Sequence, residues 1–422
     1  MHEKANGQLV RKLNESRVLN LIKEKGVISR NELARQSKIF KVAISEIVSR
    51  LDKAGYILEI GKGKSTNRGG KRPILLKLNP AAAYVFGVEI KRSRTNIALA
   101  DIESTIREIS TFEYEPGLPM EYGLDRIIQI INQLMEKHRL DRRRLRGIGL
   151  CLPGFVNYSK GELLFAETLS GWADRPLASR FTSHFRAPTV LENDVNAITL
   201  GEKILGAGRG KSNLICIWIG EGIGAGIIMG GQLIRGENGN AGEIGYIEIG
   251  HFVAVKNQFK NLYRNQKYYG EILSNINLFR ALNDKLGKNY PILPGKIDQN
   301  ALKKMLTKAE NGAPGAIEVL DEYAFLIAIL CMNLIKTMNP NLIILSGPVI
   351  ENSNYLLKKI RSLVKQRMVN IPFEASTIVV GDLKAEAGVK GAITMALQTI
   401  FEPPVTQSNN HINLPAEKFY SD

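Results

Sequence analysis

Apolar positions Val18, Leu19, Leu21 and Ile22 recur at helical spacing, predicting a helix over residues 14–25 with Gly26 as its stop signal. Ser29-Arg30-Asn31-Glu32 has the form of a capping box: Ser29 accepts from a first-turn amide while Glu32 reaches back. It predicts a short helix through Leu33 and Ala34 to about Gln36. After a break of a few residues, Ile44, Ile47, Val48 and Leu51 form the apolar stripe of a third helix over about 41–54, ended by Gly55. Residues 56–60 read as a strand and 73–78 as its return. Together these elements predict a winged helix-turn-helix over residues 1–80.

After Pro80 the pattern changes to alternating strands and helices. Strands are expected at 84–90, 95–100 and 105–112, then an amphipathic helix at 118–138 and a strand at 147–152. A strand at 189–191 leads into Glu192-Asn193-Asp194 and a helix. Glycine-rich strands run over 214–231, and late helices at about 316–338 and 385–400 bracket a strand at 342–345. This is an α/β body of two subdomains with a cleft between them. The expected division is a small lobe of 81–194 and 385–400, a large lobe of 195–384, and a loosely held tail, 401–422, with Pro403, Pro404 and Pro415. The 422 residues suffice for about three structural units at roughly 150 residues each.

No apolar run reaches the ~18 residues that span a bilayer, and residues 1–11 lack the apolar stretch of a secretory signal. Cys151, Cys216 and Cys331 lie too far apart in sequence for a CxxC motif. They read as buried small hydrophobes in a reducing cytosol, so the expected location is cytoplasmic and no membrane partner is expected.

Charge sharpens the picture. Residues 1–80 hold 18 Lys and Arg against 7 Asp and Glu, a net +11 of the chain's +16. A basic module on a nearly neutral body is the footprint of nucleic-acid binding. On the third helix, Lys41, Ser45 and Ser49 recur on the face away from the stripe, flanked by Val42, Glu46 and Arg50. That face would enter the major groove of duplex DNA. Glu46 either accepts from cytosine N4 or is a solvated residue on the rim. The loop 61–73 carries Arg68, Lys71 and Arg72 among glycines, which suits a slim wing in a minor groove; a flexible basic linker is the alternative.

The body carries Leu152-Pro153-Gly154, Leu169-Ser170-Gly171-Trp172, Glu192-Asn193-Asp194-Val195-Asn196, Gly206-Ala207-Gly208-Arg209-Gly210, Gly220-Glu221-Gly222-Ile223-Gly224-Ala225-Gly226 and Ala241-Gly242-Glu243-Ile244-Gly245. With these motifs in order behind a basic helix-turn-helix and Gly-Gly-Lys-Arg-Pro, the chain resembles the ROK family, named for repressors, open reading frames and kinases. Within it, the resemblance is to regulators of the xylose-repressor type and covers about residues 10–400. It implies a two-lobed actin-like, ribonuclease-H-like sugar-kinase fold with a hexose-type sugar in the cleft. A sugar presents hydroxyls that both donate and accept, so its site needs convergent carboxylates and amides; Asn193, Asp194 and Glu243 are such groups. In the family's kinases the position of Asp194 holds the base that deprotonates the sugar hydroxyl, and those of Asn193, Glu243 and Glu271 contact other hydroxyls. Pro153 and Gly154 would bring backbone close to the ligand, and Tyr246 joins the expected site.

Three departures bear on activity. The family's kinases follow the opening strand with a glycine-rich phosphate loop, where this chain has Lys91-Arg92-Ser93. These cations could attract an anion but prevent the close backbone approach that glycines allow. The second phosphate loop reads Gly220-Glu221-Gly222, placing a carboxylate where ATP phosphates would lie. Tyr246 replaces the histidine of the family's zinc site, and 247–275 contain no cysteine, so His251 alone cannot make a four-ligand site. Phe252, Phe259, Tyr263, Tyr268 and Tyr269 suggest apolar packing there instead. The leading expectation is a sugar-responsive transcriptional repressor without kinase activity, metal or cofactor, acting on operator DNA as a homodimer or higher homo-oligomer. A sugar kinase carrying a DNA-binding module and an architectural DNA binder are the alternatives.

Overall fold

The structure is a computed structural model and describes residues 2–63, 72–117, 119–169, 171–249, 259–288, 290–291, 297–368 and 376–402. The chain divides into two compact units, 1–193 with 392–422, and 194–391.

The first unit opens with α1 (His2–Lys25), β1 (Ile28–Ser29), α2 (Arg30–Ser37), α3 (Lys41–Lys53), β2 (Ile57–Lys62) and β3 (Ile74–Leu78). α1 begins twelve residues before the expected start. Residues 2–13 hold good helix formers but no apolar stripe, so periodicity could not mark them. The capping box forms: Ser29 Oγ accepts from Glu32 N at 3.3 Å, and Ser29 N donates to Glu32 Oε2 at 3.0 Å. Ile44, Ile47, Val48 and Leu51 of α3 are buried with Leu19, Ile22 and Leu33. β1 adds a third strand that the sequence reading lacked, giving the sheet order β1-β3-β2. Two residues are too short to show a period.

The rest of this unit is built on a five-stranded sheet of β4 (Tyr84–Ile90), β5 (Arg94–Asp101), β6 (Ile106–Glu113), β7 (Leu145–Leu152) and β10 (Thr189–Asn193). β8 (Phe155–Asn157) and β9 (Glu162–Phe165) form a separate hairpin. Helix α4 (Met120–Lys137) buries Leu124, Ile127, Ile131 and Leu134, and α5 (Leu177–Phe185) buries Phe181 and Phe185. A Cβ on Gly149 would lie 2.0 Å from the Ala392 carbonyl oxygen, so the terminal helix Ala387–Phe401 can lie on this sheet only over glycine. Asn20 Nδ2 of α1 donates to the Phe401 carbonyl at the end of that helix, 2.8 Å away.

The second unit repeats the plan. β11 (Leu214–Ile219), β12 (Ile223–Met229) and β13 (Gln232–Ile234) form an antiparallel meander, and β14 (Leu342–Ser346) and β15 (Thr377–Val380) join in parallel. Read from opposite edges, the strand orders β10-β7-β4-β5-β6 and β13-β12-β11-β14-β15 are the same: an antiparallel three-stranded meander whose first strand is flanked by two successive parallel strands. Two sheets built on one plan are the duplication expected of an actin-like body. Helix α6 (Asp194–Leu205) crosses β12, where a Cβ on Gly226 would come within 1.9 Å of Thr199 Oγ1. The helix Ala316–Met338 buries Tyr323, Ile327, Leu330 and Ile335 in the core of this unit. All three cysteines are buried thiols. No helix among the described residues is long and apolar enough to cross a membrane.

Candidate functional site

On α3 the side chains of Lys41, Val42, Ser45, Glu46 and Ser49 are exposed, while the stripe beneath them is buried. The binary pattern therefore presents one polar, basic face. Ser45 Oγ donates to the Lys41 carbonyl at 3.1 Å and keeps its lone pairs outward as acceptors. Arg50 is turned to α1, its Nε 2.7 Å from Glu15 Oε1, so part of its guanidinium holds the domain together. Arg72 is exposed at the start of the returning strand; Arg68 and Lys71 lie outside the described residues. Phe40 is 88 % exposed at the N-cap of α3, a residue the sequence reading passed over. Its signal was an aromatic at the start of the helix, one turn before Ile44.

In the body, β10 ends at Asn193 and α6 begins at Asp194 with no residue between, so the strand end and the helix start present adjacent polar groups. Asn193 Nδ2 donates to the Gly154 carbonyl at 3.0 Å. Gly154 has φ +111°, and a Cβ there would lie 2.2 Å from the Phe165 carbonyl oxygen. The close approach that this glycine permits is to the chain's own hairpin. Asp194 Oδ1 accepts from Val195 N at 2.9 Å in the first turn of α6, where the helix dipole favours a carboxylate.

Glu243 is placed by the glycines beside it. Cβ atoms on Gly242 and Gly245 would stand 1.7 and 2.3 Å from the carbonyl oxygens of Ala225 and Ile223 on β12. Glycine at both positions lets the loop lie flat on that strand, and Ala225 N donates to the Gly242 carbonyl at 2.8 Å. The Glu243 carboxyl is pushed up to about 7, first by burial and second by the negative charge of Asp194. The two carboxylates thus feel each other within the second unit. Tyr246 is 53 % exposed, its ring edge-on to Tyr268 at 5.9 Å.

Glu271 has a local task. Its Oε2 accepts from the backbone amides of Lys267 at 2.7 Å and Tyr268 at 3.1 Å, so it caps a turn at the surface. The aromatic stretch packs: Phe259 and Tyr269 are buried, and Phe259 meets the Phe325 ring at 5.6 Å. His251 and Phe252 lie outside the described residues. Among the described residues, no three His, Cys, Asp or Glu side chains gather to hold a metal.

The opening loop corrects one expectation. Lys91 is not held out for an anion: its Nζ is 2.8 Å from Glu89 Oε1, and Asn96 Nδ2 donates to Glu89 Oε2 at 2.7 Å. Glu89 is buried and was missed by the sequence reading, although a carboxylate inside an apolar strand is itself a signal. Glu221 is exposed in the second loop, where Gly220 N donates to the Gly222 carbonyl at 2.9 Å.

Residues 85–399 match the ROK family. A xylose repressor of Bacillus spizizenii is 30 % identical over 369 residues, which cover 86 % of this chain and 89 % of that protein. The DNA-binding transcriptional dual regulator NagC of Escherichia coli is 26 % identical, over 85 % of this chain and 86 % of its own. Among solved structures, a ROK transcriptional regulator homologous to the E. coli MLC protein superposes with a TM-score of 0.76 at 22 % identity, covering 95 % of this chain and 99 % of its own. A ROK glucokinase from Streptomyces griseus, solved with glucose and AMPPNP, gives 0.60 at 24 % identity, over 75 % of this chain and all of its own, 100 %. These two likenesses speak for the fold.

Proposed function

The chain belongs to the ROK family, and from that premise we propose that it is a sugar-responsive transcriptional repressor of carbohydrate-utilisation genes. The observation that carries this reading is the winged helix-turn-helix ahead of the ROK body, with the polar face of α3 free of the domain's core. The relatives named as xylose and N-acetylglucosamine repressors support the class and make D-xylose and N-acetylglucosamine the first effectors to try.

In this reading Lys41, Val42, Ser45, Glu46 and Ser49 meet base edges, while Arg50 and the wing cations Arg68, Lys71 and Arg72 meet phosphates. Asn193, Asp194 and Glu243 take the sugar hydroxyls, with Pro153, Gly154 and Tyr246 around them; Glu271 supports a turn. The protein acts as a cytoplasmic homodimer on paired half-sites about one helical turn apart, or multiples of that. A sugar that favours a body arrangement unsuited to the operator releases the DNA. A coupling of about 1–3 kcal/mol corresponds to roughly 5–150-fold release.

The sugar is not phosphorylated. The Glu89–Lys91 ion pair at the first loop and the exposed Glu221 carboxylate in the second support this, since negative charge opposes ATP phosphates. One observation favours a second reading, a kinase carrying a DNA-binding module: Asp194 stands where the family's kinases keep their base. Thermal-shift screening of monosaccharides, then operator binding with each hit and ATP turnover, tests both. A sugar that stabilises the protein, weakens operator binding and drives no ATP consumption is expected. Sugar-dependent ATP consumption would overturn the repressor-only reading.

A further inference from the structure

Phe40 and Val42 are 88 % and 73 % exposed, the two most exposed large apolar side chains among the described residues. They bracket Lys41 at the N-terminal end of α3. The domain's core closes without them: Leu19, Ile22, Leu33, Ile44, Ile47, Val48 and Leu51 are all buried. Phe40 sits at the N-cap and makes no side-chain cap hydrogen bond, at a position where Ser, Thr, Asp or Asn would stabilise the helix by its oxygen. Local helix stability therefore does not select phenylalanine here, and neither does core packing.

The surroundings say what kind of partner suits this tip. Lys38 and Lys41 flank it and are exposed, no acidic residue lies in the first turn of α3, and the helix N-terminus adds its own partial positive charge. An apolar tip in a cationic frame is complementary to a polyanion that displays an apolar group. In the major groove one such group is on offer, the C5-methyl of thymine. The N-terminal residues of a recognition helix are those that reach base edges.

We infer that Phe40 and Val42 read thymine methyl groups in the operator, making the tip of α3 an apolar specificity element beside the polar contacts of Lys41, Ser45 and Ser49. This rests on the proposed reading of the chain as an operator-binding repressor. The chemistry commits the protein to operators with thymine opposite the start of α3 in each half-site. One buried methyl contributes about fourfold in affinity, and about fifteenfold when both half-sites of a dimer are changed.

The test uses the full chain. Duplexes selected from a random pool define the site, and each thymine is then replaced by deoxyuridine, which removes the methyl group alone. At one or two positions per half-site the wild type is expected to lose about fourfold in affinity by fluorescence anisotropy. In Phe40→Ala or Val42→Ala the two duplexes should bind equally, while Phe40→Leu keeps part of the difference. Circular dichroism checks that the variants stay helical. Equal binding of thymine and deoxyuridine duplexes by the wild type overturns the inference, and so does a uridine penalty that survives in both alanine variants. If Phe40→Ala changes the oligomeric state and not the preference for thymine, the tip is a contact between copies and the inference fails. If the wild type enriches no sequence at all, the repressor reading itself fails and takes the inference with it.

Discussion

With Glu243 on the sugar, as proposed, effector binding is expected to depend on pH, with a sign and a size set by its surroundings. Its carboxyl is raised to about 7, with burial the larger cause and the Asp194 charge the smaller. A sugar hydroxyl that donates to Glu243 needs the carboxylate, so binding must expel the proton still held there. With a midpoint of about 7, the carboxylate is roughly one-eleventh of the group at pH 6 and ten-elevenths at pH 8. Apparent affinity is therefore expected to rise about tenfold between these pH values, about 1.4 kcal/mol. At pH 7 binding should release about half a proton, which calorimetry in buffers of different ionisation enthalpy reads directly. Glu243→Gln removes the titration, and its affinity should be flat over the same range. Asp194→Asn removes the smaller cause, so the midpoint should fall but stay above the ordinary carboxyl value. A flat wild-type profile, or a slope that survives in Glu243→Gln, refutes the assignment of Glu243 to the sugar.

Without sugar the same group acts on stability in the opposite sense. The unperturbed carboxyl titrates near 4.5. Below that pH both folded and unfolded chains hold the proton, and the group contributes nothing. Between about 4.5 and 7 only the folded chain holds it, so stability falls as pH rises, and above 7 the cost is complete. Glu243→Gln should therefore raise the melting temperature relative to wild type at pH 8 and leave it unchanged near pH 4.5.

Asp194→Ala should weaken sugar binding roughly ten- to a hundredfold, since a hydrogen bond to a charged acceptor is typically worth about 1.5–3 kcal/mol, while operator affinity without sugar stays at the wild-type level. A normal sugar response in this variant places the effector elsewhere. Replacing Arg68, Lys71 and Arg72 together by alanine should weaken operator binding and flatten its salt dependence, by about 0.9 of the log–log slope for each phosphate no longer neutralised. An unchanged slope removes the wing from the interface. Glu202 is fully buried and accepts from Ala207 N and Leu383 N, each at 2.9 Å. Glu202→Ala strands these amides and should cost about 3 kcal/mol or more in denaturant unfolding, with Glu202→Gln milder; equal stability of Glu202→Ala and wild type would refute this account.

What the sequence made legible was whatever had a period or a cap. α3 shows its stripe at Ile44, Ile47, Val48 and Leu51, and Ser29 with Glu32 marks the start of α2. Strand β4 follows its apolar run from Tyr84 to Ile90. The elements that stayed hidden lack such marks. β1 is two residues long, and the β8–β9 hairpin is held by pairing that no local pattern encodes. For the site, residue type singled out Asn193, Asp194 and Glu243; the structure gives Asn193 a bond to the Gly154 carbonyl and Asp194 one from Val195 N, contacts that residue type alone does not reveal. Glu271 has the same chemistry, yet its task is a turn, because what a carboxylate does depends on which amides reach it. Lys91 was read as an outward cation because its partner, Glu89, lies two residues away on a strand. In the structure Glu89 is shared, one oxygen paired with Lys91 and the other accepting from Asn96 on the neighbouring strand.

The glycine motifs carry the resemblance to the family, and the structure shows what several of them do. Gly226 is required where α6 crosses β12, Gly242 and Gly245 where the Glu243 loop lies on that strand, and Gly149 where the terminal helix passes over β7. Each of these close approaches brings backbone or a core hydroxyl within 2.3 Å of an added Cβ, so each glycine is demanded by the packing of the body whatever the body does. Packing accounts for these four glycines, and their presence therefore carries no information about ATP. The informative positions are those where packing leaves the residue free to vary. Gly222 has open space around it, and its neighbour Glu221 is exposed. At the first loop a lysine folds onto Glu89 where glycine amides would be needed. These two loops support the proposal that the sugar is not phosphorylated, and the proposal keeps Asp194 and Glu243 for its hydroxyls. In the proposed reading the body takes a sugar without phosphorylating it, so it would act only through its own conformation, and what that conformation would address is the winged helix.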